Sequence, residues 1–346
     1  MSVYYIGMDV HCKFTVIAVQ RAGKIVQRFK VPTTVQSIRQ TLGTISGVKY
    51  VALEEGPMAG WLYRNLRDYV DRITVSDPRR NKLIASDGQK DDKIDAEKLA
   101  ALLRGGYLKP VHHSKDQLHV ELKRWAGIYH DRVREATRCI NKIRAQARME
   151  GVRITRRVIL DPSHRKRVLK ELSNKMFSER IELLCIGYDS VSYQARLSRN
   201  RFVRLSRRNS IVRKWSELPG IGDIRAATLL AYLETPWRFS RKNRLWKYCG
   251  VGLVYNGSAG VGRLRVPWAV NKQLKNVVMG AALTAVRSKS NEYRSYYERM
   301  LKAGVLAGNA RRSVARKLLT VMWGMWKQQS KNVFKRSDVQ LSKSIY

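Results

Sequence analysis

Apolar and aromatic residues crowd together at 4–8 and again at 14–19, and at 25–30 they alternate with polar ones, with Arg21-Ala-Gly23 between the last two runs. Period-two patterning of this length, closed by a glycine turn, predicts three consecutive strands with a hairpin joining the second to the third. A helical period follows over 34–45, then a buried-strand pattern at 50–53, a helix over 57–70 opened by Pro57, and a short strand at 72–75. The chain therefore starts as an α/β layer sandwich.

The predicted order β-β-β-α-β-α-β is also that of the ribonuclease H-like fold. Gly105-Gly106 and Pro110 then break the next helix and mark a domain edge near residue 110. Over 116–148 the positions Leu118, Leu122, Trp125, Tyr129, Val133, Ala136, Ile140 and Ile143 keep a heptad-like period, which predicts one long amphipathic helix. A second helical region rich in Lys and Arg runs over 163–215, so a helical hairpin or an interchain coiled coil is expected across 111–212. The run from Leu218-Pro-Gly-Ile-Gly222 to Ala231 has the form of a helix-hairpin-helix. Its glycines would let the backbone approach a phosphate, with Gly220, Gly222 and Arg225 as the contacting residues. A tight turn between two packed helices with no ligand is the plainer alternative. Mixed aromatic and basic residues (Trp237, Arg238, Arg241, Trp246, Lys247) come next, then a Gly/Ser-rich segment at 250–262 and helices over 268–287, 291–302 and 310–328. That gives a third segment, 213–330, and a tail, 331–346.

Charge changes the picture. Among 346 residues, 68 Lys and Arg stand against 27 Asp and Glu, a net charge of +41 that calls for a polyanionic partner. Residues 1–100 hold 16 bases and 11 acids, whereas 101–346 hold 52 and 16. A chain that only coated nucleic acid would have no use for a carboxylate-rich N-terminal segment, but a metal-using enzyme acting on a phosphate backbone would. With 44% hydrophobic residues the chain can bury sizeable cores, which excludes disorder as its main state. Four cysteines without a CxxC pair argue against a disulfide framework and a zinc finger. The start lacks the pattern of a signal peptide, and the longest apolar run, around 277–286, is too short to span a bilayer. A cytoplasmic protein with no membrane partner is expected.

The acids then fall into place. Asp9 ends the first predicted strand and Glu54 the fourth, while Asp92 and Asp95 stand three apart at the start of a helix reaching residue 103. Four carboxylates converging on a sheet edge would bind two hard divalent cations, Mg²⁺ or Mn²⁺, about 3.5–4 Å apart. Singly, each is as well explained as a turn residue or a helix cap.

Taken in order, Tyr5-Ile-Gly-Met-Asp9, Leu53-Glu54, Lys90-Asp-Asp92-Lys-Ile-Asp95-Ala96, the Leu218-to-Gly222 turn and Gly257-Ser258 with its basic sequel make the chain resemble the DEDD transposases of the insertion-sequence 110 family, relatives of the Piv-type DNA invertases. The resemblance implies a RuvC-like N-terminal domain (1–110), a basic coiled-coil connector (111–212) and a C-terminal transposase domain (213–330). It implies Asp9, Glu54, Asp92 and Asp95 as metal ligands, with Glu55 the alternative to Glu54 because Leu-Glu-Glu-Gly-Pro replaces the more usual Glu-x-Thr-Gly. It also implies Ser258 as a nucleophile forming a phosphoserine link to DNA, with Arg263 and Arg265 beside the phosphate. Further implications are a structured bridge RNA as guide, a homo-oligomer (dimer or tetramer) held by the coiled coil, and a prokaryotic, nucleoid-associated setting. The expected function is thus a DNA recombinase of a mobile element. Two rivals remain at this point: an invertase or junction resolvase using metal-activated water, and a non-catalytic nucleic-acid-binding protein.

Overall fold

The computed structural model describes residues 2–80, 92–258, 261–267 and 270–343, and the side chains of Arg80, Asp92, Lys93, Asn256, Ser258, Val261 and the residues beyond 331 lie outside that description. The chain divides into two compact units, Met1–Gln117 and Leu118–Tyr346.

The first unit holds β1 (Val3–Val10), β2 (Phe14–Arg21), β3 (Lys24–Pro32), α1 (Val35–Gly43), β4 (Val48–Glu54), α2 (Ala59–Leu66), β5 (Arg72–Ser76) and α3 (Asp92–Arg104). Its five-stranded sheet has the order β3-β2-β1-β4-β5; β1, β2 and β3 run antiparallel, and β1, β4 and β5 are parallel. The hairpin between β2 and β3 turns on Ala22 and Gly23, both at positive φ (49° and 86°), as a two-residue turn matched to strand twist requires. Parallel pairing of β4 with β5 needs a crossover, which α2 supplies. On one face Ile6, Met8, Ile17, Val19, Val51, Leu53 and Val75 pack against Ile38 and Leu42 of α1 and Leu62 and Leu66 of α2. Each such side chain contributes roughly 1.5–3 kcal/mol on burial. Alternate positions point to the other face, where Gly7, Val16, Ala18 and Ala52 meet Ala96 and Leu99 of α3. Small residues line this face because the helix lies close upon it. The α/β layer sandwich read from the sequence is thus present.

The second unit is mostly helical. It comprises α4 (Gln117–Met149), α5 (Arg156–Leu160), α6 (Pro162–Lys170), α7 (Lys175–Ser206), α8 (Ser210–Ser216), α9 (Gly222–Leu233), α10 (Lys242–Tyr248), the hairpin β6 (Val254–Ser258) and β7 (Val261–Arg265), α11 (Lys272–Arg287), α12 (Glu292–Lys302) and α13 (Ala307–Lys343). Asp161, Asn174, Asn209, Asn271 and Asn291 each precede one of these helices and accept its first free amides, so five helix starts are written locally.

Two separate cores hold the unit. In one, Ile140, Ile143 and Ala147 of α4 pack with Ile154, Val158, Leu169 and Phe177, Ile181, Cys185 and Tyr188 of α7. In the other, Leu122 and Ala126 of α4 and Phe202 of α7 join α8 to α13. Opposite ends of α4 thus meet opposite ends of α7, and the two helices run antiparallel. Trp215 anchors the larger core: it is 1% exposed, stands edge-on to Trp326 with ring centroids 5.1 Å apart, and donates from Nε1 to the Met322 carbonyl at 3.0 Å.

The details depart from the sequence pattern in three places. Leu118 and Val133, both on the heptad stripe, are exposed: Leu118 lies in the first turn, ahead of the first buried residue, Leu122, and Val133 lies between the two stretches of α4 that are buried, Leu122–Ala126 and Ile140–Ala147. The Gly/Ser-rich segment forms the hairpin β6–β7, in which Tyr255 pairs with Leu264 and Gly257 with Gly262. Helix α13 runs on to Lys343, past the apolar period that fades at Gln328, since no Gly or Pro interrupts residues 325–343.

Candidate active site

Strands β1 and β4 lie side by side and parallel with Met8 opposite Leu53, so the next residues, Asp9 and Glu54, are neighbours at the same end of the sheet. Alternation sets their direction. Gly7 and Ala52 face α3, so Asp9 and Glu54, two positions on, share that face. Helix α3 begins over the same face: Ala96 crosses Gly7, and Asp95, half-buried, precedes it, with Asp92 one turn before. Sheet register thereby sets Asp9 beside Glu54 on the face that the start of α3 covers, and Asp95 lies in the first turn of that helix. The Asp92 side chain lies outside the described atoms.

His11 Nε2 is 2.9 Å from Asp9 Oδ2, and the His11 ring lies against Phe14 at 4.9 Å. Glu55 is already beyond the strand. Its amide donates to the Ser76 carbonyl at 2.9 Å, its Oε2 is 2.6 Å from His113 Nε2, and His113 rests on Tyr63 at 5.6 Å. The two glutamates therefore sit in different surroundings, Glu54 on the α3 face and Glu55 held by a histidine 58 residues away. Sequence reading missed both histidines. His11 stands two residues after Asp9, which is a visible signal, whereas nothing local ties His113 to Glu55.

Asp9, Glu54 and Asp95 offer anionic oxygens, the donor type that hard divalent cations select. Among the described residues no three His, Cys, Asp or Glu side chains stand close enough together to hold an ion.

In the second unit, Ser258 ends β6 opposite Val261, next to the hairpin tip, and its side chain lies outside the described atoms. Arg263 and Arg265 are exposed on β7, opposite Asn256 and Val254. Gly220 has φ +81°, and a Cβ there would come 2.2 Å from the Ala281 carbonyl oxygen of α11. Its lack of a side chain is accounted for within the protein. Gly222, at φ +58°, has nothing within 4 Å of the same position. Arg225 donates to the Gly220 carbonyl and, at 3.1 Å, to Thr284 Oγ1, and burial lowers its pKa from the ordinary value. It braces the turn from behind. His130 of α4 lies 2.9 Å from Thr228 Oγ1, and Thr228 donates to the Ile224 carbonyl, so the histidine is the donor to Thr228. Burial is the main reason its pKa falls to about 4, with Arg134 adding to it.

The four cysteines are all free, and burial pushes the Cys249 thiol up. Among the described residues no helix is long and apolar enough to cross a membrane.

No curated protein matches the chain. Two family models do. The DEDD transposase model of the IS110 group, described as a transposase, matches residues 6–148, which include Asp9, Glu54, Asp92 and Asp95. The model of the transposase IS116/IS110/IS902 family matches residues 213–298, which include the Gly220 turn and Ser258. Together they cover about two thirds of the sequence, in the order in which the motifs occur. The chain belongs to the IS110 family of DEDD transposases, enzymes of DNA transposition that cut and rejoin DNA.

Proposed function

We propose that this transposase cuts and rejoins DNA with Ser258 as nucleophile, assisted by Mg²⁺ or Mn²⁺ held by Asp9, Glu54, Asp92 and Asp95. The observation that carries the reading is the register of β1 on β4, with Asp9 and Glu54 adjacent on the face that the Asp92–Asp95 turn overlies. The strand order β3-β2-β1-β4-β5, with one antiparallel and one parallel half, supports a ribonuclease H-like, RuvC-like domain. His113 binding to Glu55 supports Glu54 as the ligand of the pair.

A phosphodiester is an anionic electrophile and a serine hydroxyl a weak nucleophile, so the reaction needs positive charge at the phosphate and a sink for the hydroxyl proton. A divalent cation held by Asp9, Glu54, Asp92 and Asp95 would supply that charge and favour loss of the hydroxyl proton. Ser258 Oγ would give up its proton to water as it bonds to phosphorus, one bridging P–O bond would break, and the leaving oxygen would take a proton back from water. His11 holds one oxygen of Asp9, and Arg263 and Arg265 stand ready beside the phosphate. Because the link is a phosphodiester, rejoining needs no ATP.

The remaining parts follow the same reading: residues 111–212 as coiled-coil connector, 213–330 as transposase domain and 331–346 as tail. The turn at Gly222 acts as the phosphate-facing side of a helix-hairpin-helix, with Gly220 and Arg225 shaping it. A guide RNA is consistent with the basic excess beyond residue 100. Exposed Leu183, Ile186, Tyr193 and Leu197 of α7 keep a heptad spacing, which supports a homo-oligomer formed through this helix.

The test is a DNA substrate whose cleaved strand cannot be rejoined. Wild type should form a denaturation-resistant adduct mapping to Ser258, and Asp9→Asn or chelator should abolish it with nucleic-acid binding retained. Cleaved ends without an adduct would instead mean hydrolysis by water, as in a resolvase. Undiminished cleavage by Asp9→Asn would remove the carboxylates from the mechanism.

A further inference from the structure

The tip of the α4–α7 pair, where α4 ends and the chain turns into α5, carries a cavity of about 300 Å³ lined by Arg144, Arg148, Gly151, Val152, Arg153 and Ile154. Its shape has a local cause. Gly151, at φ +69°, ends α4; its amide donates to the Arg148 carbonyl at 3.1 Å and that of Val152 to the Ala147 carbonyl at 2.9 Å. This pair of reversed bonds turns the chain sharply and points Ile154 into the core, where it is 4% exposed. Arg144 and Arg148, one helical turn apart, line one side, and Arg153 comes in from beyond the turn. The floor is apolar and fixed by the core, and the rim is cationic.

Charge pairing sets these arginines apart. Around them the acids are engaged: Glu150 with Arg180 at 2.5 Å, Asp189 with Arg165, and Asp161 with the first amides of α6. The side chains of Arg144, Arg148 and Arg153 make no ion pair or hydrogen bond among the described residues and are solvent-exposed. One of them, Arg148, offsets the negative end of the α4 dipole. That accounts for one charge, not for three facing a common space. Three like charges around a pocket repel one another until an anion enters.

We propose that this pocket binds a nucleic-acid phosphodiester, clamping one phosphate of a DNA or RNA strand at the tip of the helical pair, away from both Ser258 and the carboxylates in sequence. It rests on the reading of the chain as a nucleic-acid enzyme. The volume stands at the low end of small-ligand pockets, about 300–1,000 Å³, which suits a phosphate and its sugars rather than a stacked base. Arginine forks suit phosphate oxygens. The pocket fixes where the strand crosses the connector without reading its sequence.

The experiment compares full-length wild type, the triple variant R144Q/R148Q/R153Q and a charge-matched control, K166Q/R167Q/K170Q on α6. Binding to a labelled DNA duplex and to a labelled RNA hairpin is measured from low to high salt. Loss of one phosphate contact should weaken binding on the order of tenfold at 0.1 M salt and make the slope of log K against log salt shallower by about 0.9, beyond any effect of the control. A loss confined to one probe identifies the strand that occupies the pocket. Equal effects of the two triple variants would overturn the pocket, since the arginines would then act only as general surface charge. Wild type binding neither probe would instead sink the nucleic-acid reading itself. If the triple variant fails to fold, Arg153→Gln alone decides, because this residue lies outside the helix: it should lose affinity with an unchanged melting temperature, and unchanged affinity would count against the pocket.

Discussion

Gly7→Ala tests how the candidate site is assembled. A Cβ built on Gly7 would lie 1.9 Å from the Ala96 carbonyl oxygen and 2.7 Å from the Ala100 amide, both backbone atoms of α3. Side chains could not relieve such contacts, so the helix must lift. Reaching even a tight separation of 3.0 Å requires a displacement of about 1 Å, and Ala96 and Ala100, both fully buried, leave no slack on the helix side. Overpacking of this kind costs about 1–3 kcal/mol. The same lift carries Asp95, the residue before Ala96, away from Asp9 and Glu54. Misplacing a catalytic group by about 1 Å costs on the order of 10²-fold in rate. The assay is adduct formation per mole of folded protein, alongside thermal unfolding. Leu42→Ala, on the opposite face of the sheet and 1% exposed, is the control, losing about 2–5 kcal/mol without moving α3. The variant Gly7→Ala should lose most of its cleavage while Leu42→Ala, though at least as destabilised, keeps it. Equal activities, or a wild-type rate in Gly7→Ala, would falsify the placement of α3 as the carrier of the acids.

Three further outcomes are expected. Gly220→Ala forces a side chain into a left-handed backbone and against the Ala281 carbonyl, and should cost several kcal/mol, about 2–5, seen as a large drop in melting temperature; a melt unchanged within a degree would contradict the packing. Trp215→Ala should cost about 3–5 kcal/mol, since it empties the larger core and removes the indole hydrogen bond to the Met322 carbonyl; a chemical-denaturation loss under 1 kcal/mol would show that the core closes over the gap. His130 is neutral in the folded state down to about pH 4, whereas in the unfolded chain it titrates near 6.5. Its pKa is depressed on folding, so its contribution is present above pH 6.5, is lost as the pH falls from 6.5 to 4, and changes no further below that. The melting temperature should therefore fall more between pH 7 and pH 5 in wild type than in His130→Gln, and parallel curves would refute the assignment.

Much of the first unit was legible because its burial is periodic. Val16, Ala18 and Ile17, Val19 alternate between two covered faces, and Ala22-Gly23 can only be a tight turn. Asp9 and Glu54 could be placed at strand ends for the same reason. What escaped depends on contacts distant in sequence. Gly7 looks like any strand glycine until Ala96 is laid over it, and Gly220 suggested a phosphate until Ala281 filled the space. The hairpin β6–β7 was hidden because its paired Tyr255 and Leu264 are open to solvent, so no burial imposes an alternating pattern there. The incompletely buried middle of α4 was equally silent: a heptad repeat records that a face can be covered, not that one chain covers it.

The antiparallel pair α4–α7 has a thermodynamic consequence. Between Ala126 and Ile140 on α4, and between Tyr188 and Ser198 on α7, no side chain is fully buried. At 1.5 Å per residue this stretch is roughly 15–20 Å of paired helix between two cores that share no residue. Opening of the tip core thus need not disturb the larger one, and free-energy changes from substitutions in the two should add. Evolution could then retune the tip, pocket included, against a new strand geometry without paying in the stability of the domain that carries Ser258.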